Sequence, residues 1–215
     1  MPKKLPAGLL RRARRIRLLL MDVDGVLTDG LLYYAPDGHG GVVENKGFDS
    51  QDGMAMRWIQ EFCGIRLGWI SGRESPAVTE RARQLQVAFL YQGHLSKLAP
   101  YEEIVRDSGV AEQEICYVGD DLTDAPVLLR VGLPVAVANA RPEIKALARY
   151  VTRAPGGRAA IREVAELLMR AQGQWDKVLR KYGLRPGKVQ SPSRTPKQSN
   201  RFVKRAQQAA PLQTR

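Results

Sequence analysis

The sequence has few cysteines and no long apolar segment. Only Cys63 and Cys116 occur among its 215 residues, too few for the disulfide framework of a small secreted protein. The apolar stretch nearest the start, at 18–21, runs into Asp22 and is far shorter than the ~18 residues that a membrane span needs. It is also too short for a secretory signal, although basic residues precede it. We therefore expect a cytoplasmic protein without a membrane span.

Acidic residues are absent from both ends of the chain. Residues 1–17 carry seven basic residues and residues 183–215 carry eight, with no acidic residue in either segment. The formal net charge of +12 comes from these ends, because residues 18–182 hold 19 basic and 22 acidic side chains. A nucleic-acid-binding domain is expected to carry its basic patch on the folded face. We expect at most weak contact between nucleic acid and the basic tail.

Composition divides the chain into three parts. Hydrophobic residues make up 44% of the sequence, which is enough for one sizeable core. The segment from 183 onwards is rich in proline, serine, glutamine and basic residues, a composition typical of disorder. We expect a basic N-terminal extension at 1–16, a folded domain at 17–182 and a basic, disordered tail at 183–215.

Apolar and amphipathic segments alternate through the expected domain. Strands are predicted at 17–23, 67–70, 87–91, 115–118, 134–137 and 150–151, and helices at 54–62, 75–85, 98–108, 125–131, 142–148 and 159–171. This alternation favours right-handed βαβ units, and hence a three-layer, Rossmann-like α/β fold with a parallel sheet. After the first strand, apolar segments at 31–34 and 42–43 flank a glycine-rich turn and predict an inserted β-hairpin.

Polar side chains follow the ends of three predicted strands. The end of the first strand carries Asp22 and Asp24, Ser71 follows the second, and Asp120 and Asp121 follow the strand at 115–118; Lys97 opens a helix. Ligands bind beyond the carboxyl ends of the strands in such sheets. Carboxylates there are costly without a partner, and oxygen ligands alone favour Mg²⁺. A cation with a nearby hydroxyl and ammonium suits a phosphoryl group.

Four ordered motifs resemble those of the haloacid dehalogenase-like hydrolases. They are DVDGVLTDG at 22–30, WISGR at 69–73, Lys97, and GDDLTD at 119–124. The first motif, the turn at 91–93 and GGRAAIRE at 156–163 resemble more narrowly the capless subgroup that contains the 3-deoxy-D-manno-octulosonate 8-phosphate (KDO 8-phosphate) phosphatases. Only 25 residues separate Ser71 from Lys97, which leaves no room for an inserted cap domain.

The resemblance implies a role for each motif residue in Mg²⁺-dependent hydrolysis of a phosphate ester. Asp22 would be the nucleophile that forms an aspartyl phosphate, and Asp24 would act as general acid and then as base. Ser71 and Lys97 would bind the phosphoryl group. Mg²⁺ would be held by Asp22, the Asp24 backbone carbonyl and Asp120, with Thr28, Asp121 and Asp124 supporting these groups.

The resemblance also implies a substrate site and an assembly. The sugar phosphate would contact Asp24, Asp49, Asp52, Gly53, Arg57, Arg73, Arg81 and Lys97. Relatives often carry an asparagine and a basic residue where this chain has Asp49 and Gln51. The substrate therefore stays open between KDO 8-phosphate and an alternative such as acylneuraminate 9-phosphate or another small sugar phosphate. Relatives without a cap wall the site by forming homotetramers, and the apolar hairpin segment 31–34 suits such a contact.

Two other classes of protein fit these motifs less well. A receiver-type signalling domain also combines aspartates, a hydroxyl, a lysine and Mg²⁺ on a parallel sheet. Its phosphorylated aspartate lies in the middle of the chain, whereas here the Asp-x-Asp pair comes first. A scaffold or RNA-binding protein would use the basic ends, but intact Asp22 and Asp24 favour an enzyme.

Overall fold

A parallel sheet forms the centre of the computed structural model, which describes residues 5–185. The strands are β1 (Leu18–Met21), β2 (Tyr33–Pro36), β3 (Val42–Asn45), β4 (Arg66–Ile70), β5 (Phe89–Tyr91), β6 (Ile115–Gly119), β7 (Leu133–Ala136) and β8 (Tyr150–Val151). The helices are α1 (Ala7–Ala13), α2 (Ser50–Cys63), α3 (Pro76–Leu85), α4 (Leu98–Ser108), α5 (Ala125–Leu128), α6 (Pro142–Leu147), α7 (Ala160–Ala171) and α8 (Trp175–Lys181). The sheet order is β5-β4-β1-β6-β7-β8, and β2 and β3 form a separate antiparallel hairpin.

The central strand β1 is apolar along its whole length because both faces of the sheet are covered. All four of its residues are fully buried, and it pairs in parallel with β4 on one side and β6 on the other. Helices α2 and α7 pack together and are joined by α1, α3 and α8, whereas α5 contacts α4 and α6. Right-handed crossovers place these two groups on opposite faces. The predicted three-layer α/β architecture is confirmed.

The start of the chain differs from the expected boundary at residue 17. Within the expected extension, α1 packs against α7, and Leu9, Ala13 and Ile16 are buried. Arg12 donates a hydrogen bond to the Gly132 carbonyl at 2.8 Å, and Arg14 donates one to the Ala171 carbonyl at 3.1 Å. The described part of 1–16 therefore belongs to the folded body. Its apolar side chains recur at helical spacing, although basic residues surround them.

The inserted hairpin lies where the sequence predicts it, but its first strand starts two residues later and its second strand is two residues longer than the predicted segment. The register pairs Tyr33 with Asn45 and Pro36 with Val42. The last residue of β3 therefore lies beside the first residue of β2, which follows the loop after β1. Between Ser71 and Lys97 the structure contains only α3 and β5, so the site has no inserted cap. The hairpin is therefore the element that stands over this edge of the sheet.

Helix α2 begins four residues earlier than predicted. The Asp49 carboxylate accepts a hydrogen bond from the Gln51 backbone N–H at 2.6 Å and so caps the helix at Ser50. Gly53 lies within the helix, and the guanidinium of Arg81 occupies the space that a β-carbon there would fill. Helix α8 was not predicted, and it packs against α7 through Val178 and Trp175.

Two further expectations concern membrane-spanning helices and the C-terminal tail. Within residues 5–185, no helix combines the length and apolar character needed to cross a membrane. The expected disordered tail at 183–215 lies almost wholly outside the described residues, so its order stays a prediction.

Candidate active site

The predicted catalytic residues meet at the carboxyl edge of the sheet. Because Met21 is in register with Trp69 of β4 and Val118 of β6, the three strands end side by side. The loops that follow them line a cleft of about 300 Å³. Its walls include Asp22, Asp24, Gly72, Arg73, Lys97, Asp120 and Asp121.

Lys97 joins the Asp22 carboxylate to a second buried carboxylate. Its ammonium lies 2.7 Å from Asp22 Oδ1 and 2.7 Å from Asp124 Oδ1, and its side chain is only 2% exposed. Burial lowers the pKa of Lys97, but the two carboxylates outweigh burial and raise the pKa above its usual value. Burial also raises the pKa of Asp22 to about 6, although Lys97 opposes the shift. Lys97 therefore stays charged beside the candidate nucleophile.

Asp124 supports this arrangement from below the cleft. Its Oδ1 accepts hydrogen bonds from Lys97 and from the Tyr117 hydroxyl, each at 2.7 Å. Its Oδ2 accepts backbone N–H bonds from Asp120 at 2.8 Å and from Asp121 at 3.2 Å. Tyr117 lies in the middle of β6 and was not predicted, because it reads as part of an apolar strand. Because its carboxylate accepts all four hydrogen bonds, Asp124 fixes the positions of Lys97, Tyr117 and the loop that carries Asp120.

Asp120 has the carboxylate best placed to hold a cation. One carboxylate oxygen of Asp120 lies within 4.8 Å of one oxygen each from Asp22 and Asp124, which are themselves as close together. Its Oδ1 is buried and has no hydrogen-bond partner among the described residues. Burial, followed by the charge of Asp22, raises the pKa of Asp120 to about 8. Burial and the neighbouring carboxylates thus disfavour the ionised form of Asp120, a bound cation would favour it, and the oxygen-only donors fit a hard cation such as Mg²⁺.

The side chain of Thr28 makes three hydrogen bonds within the loop after β1. Its Oγ1 accepts N–H bonds from Gly25 at 3.4 Å and Gly30 at 3.2 Å, and it donates to the Val23 carbonyl at 3.4 Å. Gly25 has φ +90°, and a β-carbon there would stand 2.2 Å from an oxygen of Asp120. The loop can therefore approach Asp120 only with glycine at this position.

A second support for the same loop was missed by sequence reasoning. Asn139 donates to the Gly25 carbonyl at 2.9 Å and accepts the Gly156 N–H at 2.7 Å. A β-carbon on Gly156 would lie 1.8 Å from the Gly25 carbonyl oxygen. The late glycine-rich segment therefore packs directly on the loop that follows Asp24. Its glycines gave a signal in the sequence, but Asn139 gave none.

Ser71 is fully buried in the turn after β4. Its hydroxyl donates to the Arg73 carbonyl at 2.9 Å and accepts the Arg73 N–H at 3.1 Å. The hydroxyl therefore shapes the turn that brings Gly72 and Arg73 to the cleft. Asp121 behaves similarly after β6, where its carboxylate accepts the Leu122 N–H at 2.7 Å and caps a short 3₁₀ turn.

Asp24 makes an ion pair that the sequence did not predict. The Lys46 ammonium donates a hydrogen bond to Asp24 Oδ1 and lies 2.9 Å from a carboxylate oxygen of Glu44. Glu44 also pairs with Arg73. Burial lowers the pKa of Lys46, but its bonds to Asp24 and Glu44 outweigh burial and raise it. A chain of charges thus joins the first loop, the hairpin and the turn after β4.

The residues expected at the sugar are only partly brought to the cleft. Arg73 lines it, whereas Asp49 lines a neighbouring cleft together with Asp29 and Arg158. Arg81 lines a third cleft, of about 420 Å³, that also contains Lys46. These three clefts surround the base of the hairpin, so an extended substrate could reach from one to another.

Three of those residues lie elsewhere. Arg57 is in a groove between α2 and α3, where it donates to the Gln84 carbonyl at 3.2 Å. Asp52 is 1% exposed, and its Oδ1 accepts the Arg162 backbone N–H at 2.6 Å in the first turn of α7. Gly53 gives room to Arg81. In this chain Asp52 and Gly53 lie where α2 contacts the helices α7 and α3, so the structure does not bring them to the cleft.

Comparison with known proteins fits this geometry. A family model described as haloacid dehalogenase-like hydrolase matches residues 75–156. The 3-deoxy-D-manno-octulosonate 8-phosphate phosphatase KdsC of Escherichia coli K12 is 43% identical over 170 residues, which cover 79% of this chain and 88% of that protein. The crystal structure of the Yersinia pestis phosphatase of the same name has a TM-score of 0.74 at 41% identity, covering 78% of this chain and 88% of that one.

A further solved structure is similar and contains ligands. It is the Moraxella catarrhalis 3-deoxy-D-manno-octulosonate 8-phosphate phosphatase in complex with magnesium ion, phosphate ion and KDO. Its TM-score is 0.76 at 33% identity, and the match covers 81% of this chain and 97% of that one.

The parallel sheet and the carboxylates at its edge thus define a hydrolase of the haloacid dehalogenase-like class. The relatives narrow this class: the chain belongs to the 3-deoxy-D-manno-octulosonate 8-phosphate phosphatase family and is a phosphatase. The fold and the enzyme class predicted from the sequence are therefore confirmed.

Proposed function

We propose that the protein hydrolyses KDO 8-phosphate to the free sugar acid and phosphate, with Mg²⁺ as its cofactor. The observation that carries this proposal is the buried, unpartnered oxygen of Asp120 beside the lysine-bound carboxylate of Asp22. A buried carboxylate oxygen without a partner is costly, a bound cation would supply that partner, and a similar protein holds magnesium, phosphate and KDO together.

The residues present fit Mg²⁺. Asp22, Asp120 and the backbone carbonyl of Asp24 would hold the ion, because Asp124 is already occupied by four hydrogen-bond donors. When bound, the ion offsets the repulsion between the carboxylates and an anionic phosphoryl group. Asp121 and Asp124 would keep the loop that carries Asp120 in place.

The reaction would pass through Asp22 in two steps. First, a carboxylate oxygen of Asp22 attacks phosphorus, the bond from phosphorus to the sugar oxygen breaks, and Asp24 gives that oxygen a proton. Then Asp24 takes a proton from water while the water oxygen attacks phosphorus, which releases phosphate and restores the Asp22 carboxylate. One water is consumed, and Asp24 ends the cycle protonated as it began. Its proton would lie on Oδ2, because Oδ1 accepts the hydrogen bond from Lys46.

Lys97 and the turn after β4 would stabilise the phosphoryl group during both steps. The Lys97 ammonium is already placed at Asp22 and is held by Asp124, so it needs no reorganisation. The Ser71 hydroxyl shapes the turn that presents Gly72 and Arg73 to the cleft, and rotation of this hydroxyl would let it donate to a phosphoryl oxygen.

The sugar acid would bind along the base of the hairpin. Arg73 and Arg81 are suited to bind a carboxylate, since a guanidinium can donate two parallel hydrogen bonds. Asp49 adds a negative charge to the neighbouring cleft, and this difference keeps acylneuraminate 9-phosphate as the second candidate substrate.

A cytoplasmic homotetramer would complete the site. The hairpin exposes Leu31, Tyr34 and Val42 by 61%, 57% and 68%, although each is large and apolar. A neighbouring subunit packed there would cover these side chains and wall a cleft that lacks a cap.

The test is phosphate release from KDO 8-phosphate, acylneuraminate 9-phosphate and simple sugar phosphates. Each is assayed with Mg²⁺, with EDTA, and with the Asp22→Asn variant. We expect strong preference for KDO 8-phosphate, loss with EDTA, and no turnover by the folded variant. Preference for another phosphate would change the substrate and keep the mechanism. No release from any of them would overturn the proposal.

A further inference from the structure

The contact between Lys46 and Asp24 has no place in the mechanism so far. Lys46 lies just after β3, so the register of the hairpin decides where its ammonium lies. The side chain is 2% exposed, which is unusual for a lysine, and both of its ion-pair partners are carboxylates. A lysine buried in this way has a defined position.

Among the described residues, Lys46 is the hydrogen-bond partner found for the Asp24 carboxylate. Asp22, two residues earlier, is held by a different lysine, Lys97. Each carboxylate of the Asp-x-Asp pair thus has its own ammonium, one from the start of α4 and one from the hairpin. In the proposed mechanism Lys97 lies with Asp22 beside the phosphoryl group, whereas the Asp24 carboxyl group must face the leaving oxygen.

The direction from which Lys46 approaches leaves the cleft open. Asp24 lines the cleft that contains Asp22 and Asp120, but Lys46 lines the third cleft, beside Phe48 and Arg81. Lys46 can therefore hold Asp24 without occupying the space that a phosphoryl group needs. The Glu44 carboxylate lies 2.9 Å from the ammonium and is itself paired with Arg73.

We propose that Lys46 is a positioning residue that orients the Asp24 carboxyl group towards the leaving oxygen. This inference rests on the proposed function, because it gives Asp24 the proton transfer to that oxygen. Removing Lys46 would let the Asp24 side chain adopt other rotamers, and proton transfer would lose its geometry. The defect would grow as the leaving group becomes more basic, since an alkoxide needs the proton and a nitrophenolate does not.

The test compares Lys46→Met with wild type on simple phosphate monoesters, from p-nitrophenyl phosphate to primary alkyl phosphates. The measured quantity is kcat/KM, which reports the steps up to loss of the leaving group. We expect the variant to lose about 10- to 100-fold on alkyl phosphates and less than about threefold on p-nitrophenyl phosphate. Both rates come from one preparation, so partial unfolding cancels in their ratio.

Three controls make the outcome specific. Asp24→Asn should show the same leaving-group dependence, and adding Lys46→Met to it should not steepen the dependence further. Lys181→Met, which removes a surface ion pair with Glu61, should behave as wild type. Mg²⁺ affinity measured by calorimetry should be unchanged in Lys46→Met. The lysine contacts the Asp24 side chain, whereas the proposed Mg²⁺ ligand is the Asp24 backbone carbonyl.

Equal loss on every ester would overturn the proposal and leave Lys46 with a structural role only. A loss confined to KDO 8-phosphate would also overturn it, because that result assigns Lys46 to sugar binding. The proposed function fails separately, if wild type releases no phosphate from KDO 8-phosphate while the simple esters still give a measurable leaving-group dependence.

Discussion

At the scale of single residues, charge placement decides what the cleft can do. Lys97 could be predicted, because it stands in a series of ordered motifs that the sequence displays. Lys46 could not, since a lysine after a hairpin strand ordinarily faces solvent and its burial depends on how the hairpin folds back. Tyr117 and Asn139 were missed for a related reason: each is one residue whose partner lies outside its own strand or loop, and no local pattern marks it.

Asp52 leads to a prediction about pH that is separate from catalysis. Burial raises its pKa to about 7 from a usual value of 3.8, although it accepts the Arg162 N–H. Between these values the unfolded chain gives up a proton that the folded protein keeps. The free energy of unfolding should therefore fall as pH rises from about 4 to about 7, by up to about 1.4 kcal/mol per pH unit.

The Asp52→Asn variant checks this expectation, since an amide can still accept the Arg162 N–H. Urea unfolding across this pH range should show a weaker fall in stability for the variant than for wild type. The matched control is Asp176→Asn on the exposed side of α8. Parallel pH profiles for wild type and Asp52→Asn would contradict the assignment.

At the scale of elements, predictability followed the strength of local signals. Helix α3 was found because Pro76 opens it, and α4 because its apolar residues recur at helical spacing. Helix α2 began earlier than expected, since the capping role of Asp49 is visible only once Gly53 is known to be helical. Helices α1 and α8 have seven residues each, and their apolar positions are too few to stand out among basic ones.

The hairpin leads to the second prediction. Replacing Tyr34 and Val42 together with lysine should weaken the proposed subunit contact, because it places charge on the exposed apolar surface. Sedimentation should then show a smaller assembly than wild type at equal concentration. Replacing Leu129, which is 70% exposed after α5, gives a control on a surface away from the hairpin. An unchanged assembly in the Tyr34 and Val42 variant would exclude the hairpin as the contact.

At the scale of the whole molecule, stability and cation binding should be linked. The cluster of Asp22, Asp120 and Asp124 places negative charge in the interior, so a bound cation stabilises the folded protein. Mg²⁺ at 100 times its Kd should raise the free energy of unfolding by about 2.7 kcal/mol. The measurement is thermal unfolding with Mg²⁺ and with EDTA.

The Asp120→Asn variant makes this third prediction more specific, because the substitution should change stability in different ways without metal and with Mg²⁺. Without metal the variant should be at least as stable as wild type, since burial and Asp22 disfavour the Asp120 carboxylate. With Mg²⁺ it should gain little, whereas wild type and an Asp107→Asn control on the exposed side of α4 should gain fully. Equal gains in all three proteins would mean that Mg²⁺ binds elsewhere.

The pairing of β1 with β6 has a consequence for how the protein is made. Leu18 lies beside Ile115, so more than half of the 215-residue chain must be synthesised before the two strands can meet. Such distant pairings slow folding, because a long loop must close before the contact can form. A nascent chain therefore carries Asp22 and Asp24 well before Asp120 and Asp124 exist to complete the cluster. Catalytic competence should be among the last properties that the growing polypeptide acquires.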